Sequence, residues 1–283
     1  MRIHHLNCGT DCPLGGALFD GRSKGLTGRL VCHCILVETE AHGLVLIDTG
    51  YGLKDVRQPH EGAHPRITRT MRTILNIKLR EQETAIRQIE ALGFTATDVR
   101  HIILTHLDFD HAGGLEDFPH ATVHVMDKEF SAATGPRRGF VPRNRYRPRQ
   151  FDAVSNWQLH SGQGEPWFGF ETVRAVQGLP AEILMVPLPG HTWGHAGIAI
   201  RAPSGWLLHA GDAYFYRGEM REAKRRCTPG LRGYQRLMEV DRERRLANQE
   251  RLRRLSIEHR DEVRILCAHD PVEFERCAAG MPL

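Results

Sequence analysis

With 283 residues, 41% of them apolar and 25% charged, the chain has the length for a substantial core and the composition of an ordinary globular protein. A net charge of +4 is too mild to point to nucleic acid by itself, and no run approaches the roughly 20 apolar residues that cross a bilayer. The N-terminus lacks the apolar stretch of a secretion signal and the seven cysteines form no tight framework, so a reduced, cytoplasmic setting is expected.

In chain order, residues 2–8, 30–38 and 43–48 read as opening strands, the third closing on a turn at Asp48-Thr49-Gly50. A loop rich in Gly, His and Pro (52–65) precedes helical patterns over 66–80 and 83–92, the second stopping at Gly93. The apolar run Ile102-Ile103-Leu104 is a buried strand, and Val123–Met126 is another, followed by a short helix from Asp127. Three prolines and six arginines make 135–150 a long solvated loop. Strands return over 181–212, a charged helix spans 233–259, and a strand at 263–267 and a short helix from Pro271 close the chain. Interleaved strands and helices without a break in composition indicate an α/β fold and one domain over 1–283.

Residues 105–114 carry the most chemistry. His106, Asp108, Asp110 and His111 place four metal-ligand side chains within six residues, directly after a buried strand. Three further apolar runs end in matching residues: Ile183–Val186 before Pro189-Gly190-His191, Trp206–Leu208 before Gly211-Asp212, and Val263–Cys267 before His269. Histidines and aspartates delivered by four separate strand ends are what a scaffold needs to hold two metal ions.

This ordered series resembles the metallo-β-lactamase superfamily, whose pattern is His-x-His-x-Asp-His, a His after Pro-Gly, an Asp after Gly and a late His. The resemblance runs from the Asp48-Thr49-Gly50 turn to His269, and Asp-His-Ala-Gly-Gly with Gly-Asp-Ala-Tyr is most similar to the lactonase-type hydrolases. It implies an αββα sandwich of two mixed β-sheets flanked by helices, with two divalent ions at one edge. By position, His106, Asp108 and His191 would hold the first ion and Asp110, His111 and His269 the second, with Asp212 bridging. A hydroxide between ions about 3.5–4 Å apart would attack a polarised carbonyl, and Asp110 would pass a proton to the leaving group.

Asp108 departs from the pattern, which has histidine there. Three carboxylates, two divalent ions and a hydroxide sum to neutrality, where a histidine would leave one positive charge. An anionic oxygen donor also suits harder ions, so manganese or iron rivals the zinc otherwise expected, as in the flavodiiron branch, which binds iron there with Glu. The alternative is that Asp108 falls short and the first site is weak or empty.

Tyr214 and Tyr216 flank the position, here Phe215, where lactonase-like members carry a substrate-orienting tyrosine; Tyr214 is the choice for that catalytic role, against the simpler reading of a core tyrosine. His195 and Asp48 are candidates to orient the ligands. Cys32 and Cys34 read as buried and inert, and Cys8 and Cys12 lack a second pair to make a clip. The arginines Arg137, Arg138, Arg143, Arg145, Arg147 and Arg149 are expected in solvent, the alternative being that they border the active site and attract an acidic substrate or nucleic acid.

The leading reading is a metal-dependent hydrolase opening a small ester or lactone, of the acyl-homoserine lactone type, acting on a small molecule without membrane or nucleic-acid partner and expected as a homodimer. The rivals are a phosphodiesterase or nuclease on the same centre, an iron-dependent redox enzyme for which no flavin module is present, and a non-catalytic ligand sensor.

Overall fold

The computed structural model describes residues 1–58, 65–161, 164–176, 178–221 and 224–283, with 171–175 described by their backbone alone. Residues 59–64 of the expected 52–65 loop lie outside the described residues. The first half builds β1 (Arg2–Asp11), α1 (Ala17–Asp20), β2 (Leu30–Glu38), β3 (Leu44–Ile47), α2 (Leu53–Arg57), α3 (Arg69–Leu75), β4 (Ile77–Lys78), α4 (Ala85–Ala91), β5 (Val99–Ile103), β6 (Thr122–Met126), α5 (Asp127–Thr134), α6 (Phe140–Arg145) and β7 (Trp157–His160). The second half builds β8 (Glu165–Trp167), β9 (Phe170–Ala175), β10 (Ile183–Pro187), β11 (Ala196–Ala202), β12 (Gly205–His209), α7 (Pro229–Met238), α8 (Arg242–Glu258), β13 (Val263–Leu266) and α9 (Pro271–Ala278).

Two mixed sheets result, ordered β4-β1-β2-β3-β5-β6-β7 and β13-β12-β11-β10-β9-β8. The run β3-β5-β6-β7 is parallel, as is β12-β13, while β1-β2-β3 and β9-β10-β11-β12 pair antiparallel.

Strand side chains alternate between faces, so each strand's sequence assigns its two burial partners. Ile35, Val37, Val45, Ile47 and Ile103 face Ile183, Met185, Ile198, Ile200 and Leu207 between the sheets. Their neighbours Leu36, Leu46, Ile102 and Val123 face the other way, onto Ala85 and Ile89 of α4. On the far sheet Val186, Ala199, Leu208 and Ile265 pack under Leu252 and Leu255 of α8. Each large aliphatic buried this way contributes roughly 1.5–3 kcal/mol. The expected αββα layering is therefore present, and it places the carboxyl ends of β3, β5, β10, β12 and β13 along one edge.

Three elements differ from expectation. The helix expected over 66–80 stops at Leu75, because Asn76 turns left-handed (φ 50°) and donates from Nδ2 to the Cys12 carbonyl. The charged helix expected over 233–259 is two helices, α7 and α8. The break at 239–241 lets the Val240 and Asp241 amides donate to the Gly190 carbonyl, and Asp241 caps α8 by accepting from the Arg244 amide. The arginine-rich stretch is not all loop, since α6 lies within it. No helix among the described residues is long and apolar enough to cross a membrane.

Candidate metal centre

The turn after β5 carries four of the candidate ligands and is fixed from several sides. The Ala196 amide donates to the Thr105 carbonyl, and the Thr49 amide and hydroxyl both donate to the His111 carbonyl. Asp48, itself at a left-handed φ of 54°, accepts from the Thr105 amide and hydroxyl and from His111 Nδ1 at 2.8 Å each. That conformation costs about 1–3 kcal/mol in a non-glycine residue and persists because three bonds oblige it. His106 Nδ1 donates to the Thr105 hydroxyl at 2.9 Å, so Asp48 ends two chains that begin on His106 and His111. With Nδ1 so engaged, both imidazoles aim Nε2 inward.

The other strand ends are locked in the same manner. His269 Nδ1 donates to the Val31 carbonyl at 2.8 Å, leaving its Nε2 for the centre. His195 donates from Nδ1 to the Leu188 carbonyl and accepts the Asp212 amide on Nε2 at 2.9 Å, so it orients the backbone of Asp212. Gly211 turns at φ 51°, and a Cβ there would stand 2.7 Å from His195 Nε2, so only glycine permits this approach. Gly190 (φ 140°) packs onto the Arg245 backbone, 2.4 Å from where a Cβ would be.

All seven expected ligands converge, and every one is buried. Asp212 divides its oxygens: Oδ1 is 3.4 Å from His111 Nε2 and 3.0 Å from His269 Nε2, while Oδ2 is 3.3 Å from His191 Nε2 and 3.7 Å from His106 Nε2. Asp108 Oδ2 lies 3.1 Å from His191 Nε2 and 3.5 Å from His106 Nε2. Asp110 Oδ2 lies 3.6 Å from His269 Nε2 and 4.0 Å from His111 Nε2. Donor atoms around a tetrahedral ion with bonds near 2.0–2.1 Å stand about 3.4 Å apart, which these spacings match. Nε2 of His106, Nε2 of His111 and Oδ1 of Asp212 are buried without a hydrogen-bond partner. Unpaired buried polar atoms of that kind are costly unless a cation meets them, so the residues fit a pair of metal ions. Asp108 reaches the cage with the rest.

Charge is concentrated here. Burial opposes ionisation of Asp212, but His269, His111 and His191 outweigh it and hold the carboxyl well below the usual range. Burial likewise opposes protonation of His269, yet Asp212 and Asp110 push it up to about 9. Burial raises Asp110, with Asp212 and Asp108 adding to the effect against His111 and His269.

Sequence reasoning missed the parts played by Arg145, Glu129 and Asp11. Arg145, at the end of α6, is wholly buried with Nε 3.1 Å from Asp108 Oδ1, whereas Arg137, Arg143, Arg147 and Arg149 line a surface cavity of about 790 Å³. The expectation of a solvated arginine loop therefore fails at Arg145, and so does a charge count that leaves this cation out. Glu129 of α5 is buried and joins two ligand turns, accepting the Leu107 amide on Oε1 and the Thr192 hydroxyl and Gly194 amide on Oε2. Asp11 is buried and accepts the Tyr51 hydroxyl; burial and nearby Asp110 push its carboxyl up to about 7. Cys32 lies with Asp110 and His269, their donor atoms within 4.8 Å of one another, although burial and the Asp11 and Asp110 charges raise its thiol well above the usual value. A carboxyl three residues into a helix or an arginine among five others gives no local signal of such a role.

The catalytic expectation for Tyr214 is corrected. Its ring belongs to the cluster under α8, and its hydroxyl donates to the Glu273 carboxylate at 2.9 Å, so it turns away from the cage. Phe215 takes the inward direction and stacks on His269 at 5.1 Å and 17°. Tyr234 of α7 packs edge-on against Phe215 at 5.7 Å, and burial together with Asp110, Asp108 and Asp212 raises its phenol well above the usual value. All seven cysteines are free.

A family model described as the metallo-beta-lactamase superfamily matches residues 27–269. A probable metallo-hydrolase of Mycobacterium bovis is 39% identical over 271 residues, which is 96% of this chain and 81% of that protein. An N-acyl homoserine lactonase of Bacillus thuringiensis is 30% identical over 72% of this chain and 74% of its own length. Among solved structures, an N-acyl homoserine lactone hydrolase with N-hexanoyl-L-homoserine at its catalytic metal centre superposes with a TM-score of 0.69, at 22% identity, covering 97% of this chain and 95% of that one.

Proposed function

The chain belongs to the metallo-β-lactamase superfamily of metal-dependent hydrolases, and on that premise we propose that it opens small lactones, of the N-acyl homoserine lactone kind, at a two-metal centre. In this reading His106, Asp108 and His191 would hold one ion and Asp110, His111 and His269 the other, with Asp212 shared between them. The observation that carries it is the split carboxylate of Asp212, one oxygen directed to each histidine pair. Zinc suits a set of four imidazoles and three carboxylates, with manganese or iron as the alternatives. When bound, the ions supply Lewis acidity and an ionised water at neutral pH.

The remaining work falls to the chain. Asp110, whose carboxyl burial pushes up, can hand a proton to the departing alkoxide. Phe215 and Tyr234 form an aromatic wall beside His269, suited to an acyl chain, with the Tyr234 phenol able to donate to the substrate carbonyl.

The test is a hydrolysis screen of lactones, thioesters, β-lactams and phosphodiesters with the metal-stripped and zinc-reloaded protein. Turnover of lactones, lost on stripping and regained on reloading, is expected. Activity on phosphodiesters alone would replace the lactone reading with the one the arginine-lined cavity favours, a phosphodiesterase. Metal binding without turnover of any class would indicate a sensor.

A further inference from the structure

The arginine buried against the metal ligands has a counterpart in the one ligand that breaks the family pattern. Asp108 offers two oxygens in two directions. Oδ2 faces the cage, at 3.1 Å from His191 Nε2 and 3.5 Å from His106 Nε2, while Oδ1 faces away, 3.1 Å from Arg145 Nε in an ion pair that lacks hydrogen-bond alignment. Residues 108 and 146 pair as an isolated antiparallel bridge, which brings the end of α6 beside the ligand turn.

The guanidinium is tied down by more than the carboxylate. Nη1 donates to the His191 carbonyl at 2.8 Å and Nη2 to the Met238 carbonyl at 2.9 Å, and Nη2 lies 3.2 Å from His191 Nε2. One planar group thus touches two ligands of the same half-site and the end of α7. A lysine has a single nitrogen and could not span these partners. Burial disfavours both charges singly, yet Arg145 keeps the Asp108 carboxyl well below its usual range. A buried carboxylate or guanidinium stripped of its partner is strongly unfavourable, so each needs the other.

We infer that Arg145 is a positioning residue that makes aspartate serviceable where the family pattern has histidine: it takes the outer oxygen of Asp108, directs the inner one at the metal, and returns the positive charge the substitution removes. Three carboxylates, two divalent ions and one hydroxide are neutral, and the guanidinium restores a single positive charge. The neutral centre expected from the ligands alone is thereby avoided. This inference rests on the two-metal reading.

The test compares wild type, Arg145→Met, Asp108→His and the double variant, reading zinc per chain by elemental analysis, zinc affinity by chelator competition and folding by thermal unfolding. Wild type should take two ions. Arg145→Met should keep one and weaken the other about 10- to 100-fold, the range seen when a group supporting a ligand is removed. Asp108→His alone should also weaken it, since the guanidinium then faces an imidazole. The double variant should recover two ions with affinity within about threefold of wild type, a rescue that a merely structural role would not produce. Should Arg145→Met not fold, Arg145→Lys replaces it, and the same weakening of one ion is expected because the charge stays but the fork is lost.

A wild type with two ions and a double variant no better than either single one would overturn the pairing and leave the two-metal reading standing. A wild type with one ion, gaining a second in Arg145→Met, would overturn it differently, by showing that the guanidinium fills the first site itself. A wild type that takes no metal would overturn the two-metal reading and the pairing with it.

Discussion

Two clusters of histidines in this molecule use the imidazole in opposite ways. Across β5, β6 and β7, His101, His124 and His160 form a ladder in which Nδ1 of one ring meets Nε2 of the next at 3.0 Å, twice over. In the cage, His106, His111, His191 and His269 stand at strand ends and turn Nε2 toward carboxylates. Burial, with the neighbouring His160 and His101, pushes His124 down to about 3, while Asp212 pushes His269 up to about 9 against the same burial. Several clustered histidines are therefore not enough for a metal site. What separates the two groups is anionic partners and ring nitrogens left unpaired.

The comparison breaks hardest at Asp212. Asp212→Asn removes the anion between the two half-sites, and turnover should fall by at least about 10³-fold, the scale of losing a transition-state contact of this kind, with fewer than two ions per chain by elemental analysis. Retention of both ions and near-normal turnover would show that the carboxylate is no bridge. A smaller effect is expected from Asp48→Ala, which strips the acceptor from His111 Nδ1 and the Thr105 hydroxyl. Zinc affinity should drop about 10- to 100-fold in a chelator titration while the fold is kept.

The ladder should leave the metal untouched and speak through pH instead. A histidine whose folded pKa lies near 3 and whose unfolded value is 6.5 binds fewer protons when folded, so stability falls as pH drops from about 6.5 toward 3. At pH 5 this amounts to roughly 2 kcal/mol. His124→Leu should make the loss of urea stability between pH 7 and pH 5 smaller by about that much, with zinc content unchanged. An unaltered acid limb would mean the ladder carries no such linkage.

Much of the centre was legible because its information is local. The apolar runs before His106, His191, Asp212 and His269 dictate strands, and a residue just past a strand end has few directions to take. The order of these segments carries the family resemblance, and it was the resemblance that implied the layered architecture. Parity past a strand end was not legible: whether Tyr214, Phe215 or Tyr216 turns inward depends on how the turn after β12 leaves the sheet, and Glu273 of α9 claims Tyr214. The break between α7 and α8 was hidden as well, since it answers to the Gly190 carbonyl, a partner distant in sequence.

The sequence by itself determined which side chains could hold metal and that strands would deliver them, since apolar periodicity and ligand spacing are properties of neighbouring residues. Tertiary structure alone decided the electrostatics of the site. Arg145 is one of six arginines between 137 and 149, indistinguishable by composition, and only the packing of α6 against the ligand turn buries that one beside Asp108. Charge acts through space, so the residue that balances an odd ligand is found by distance rather than by order along the chain.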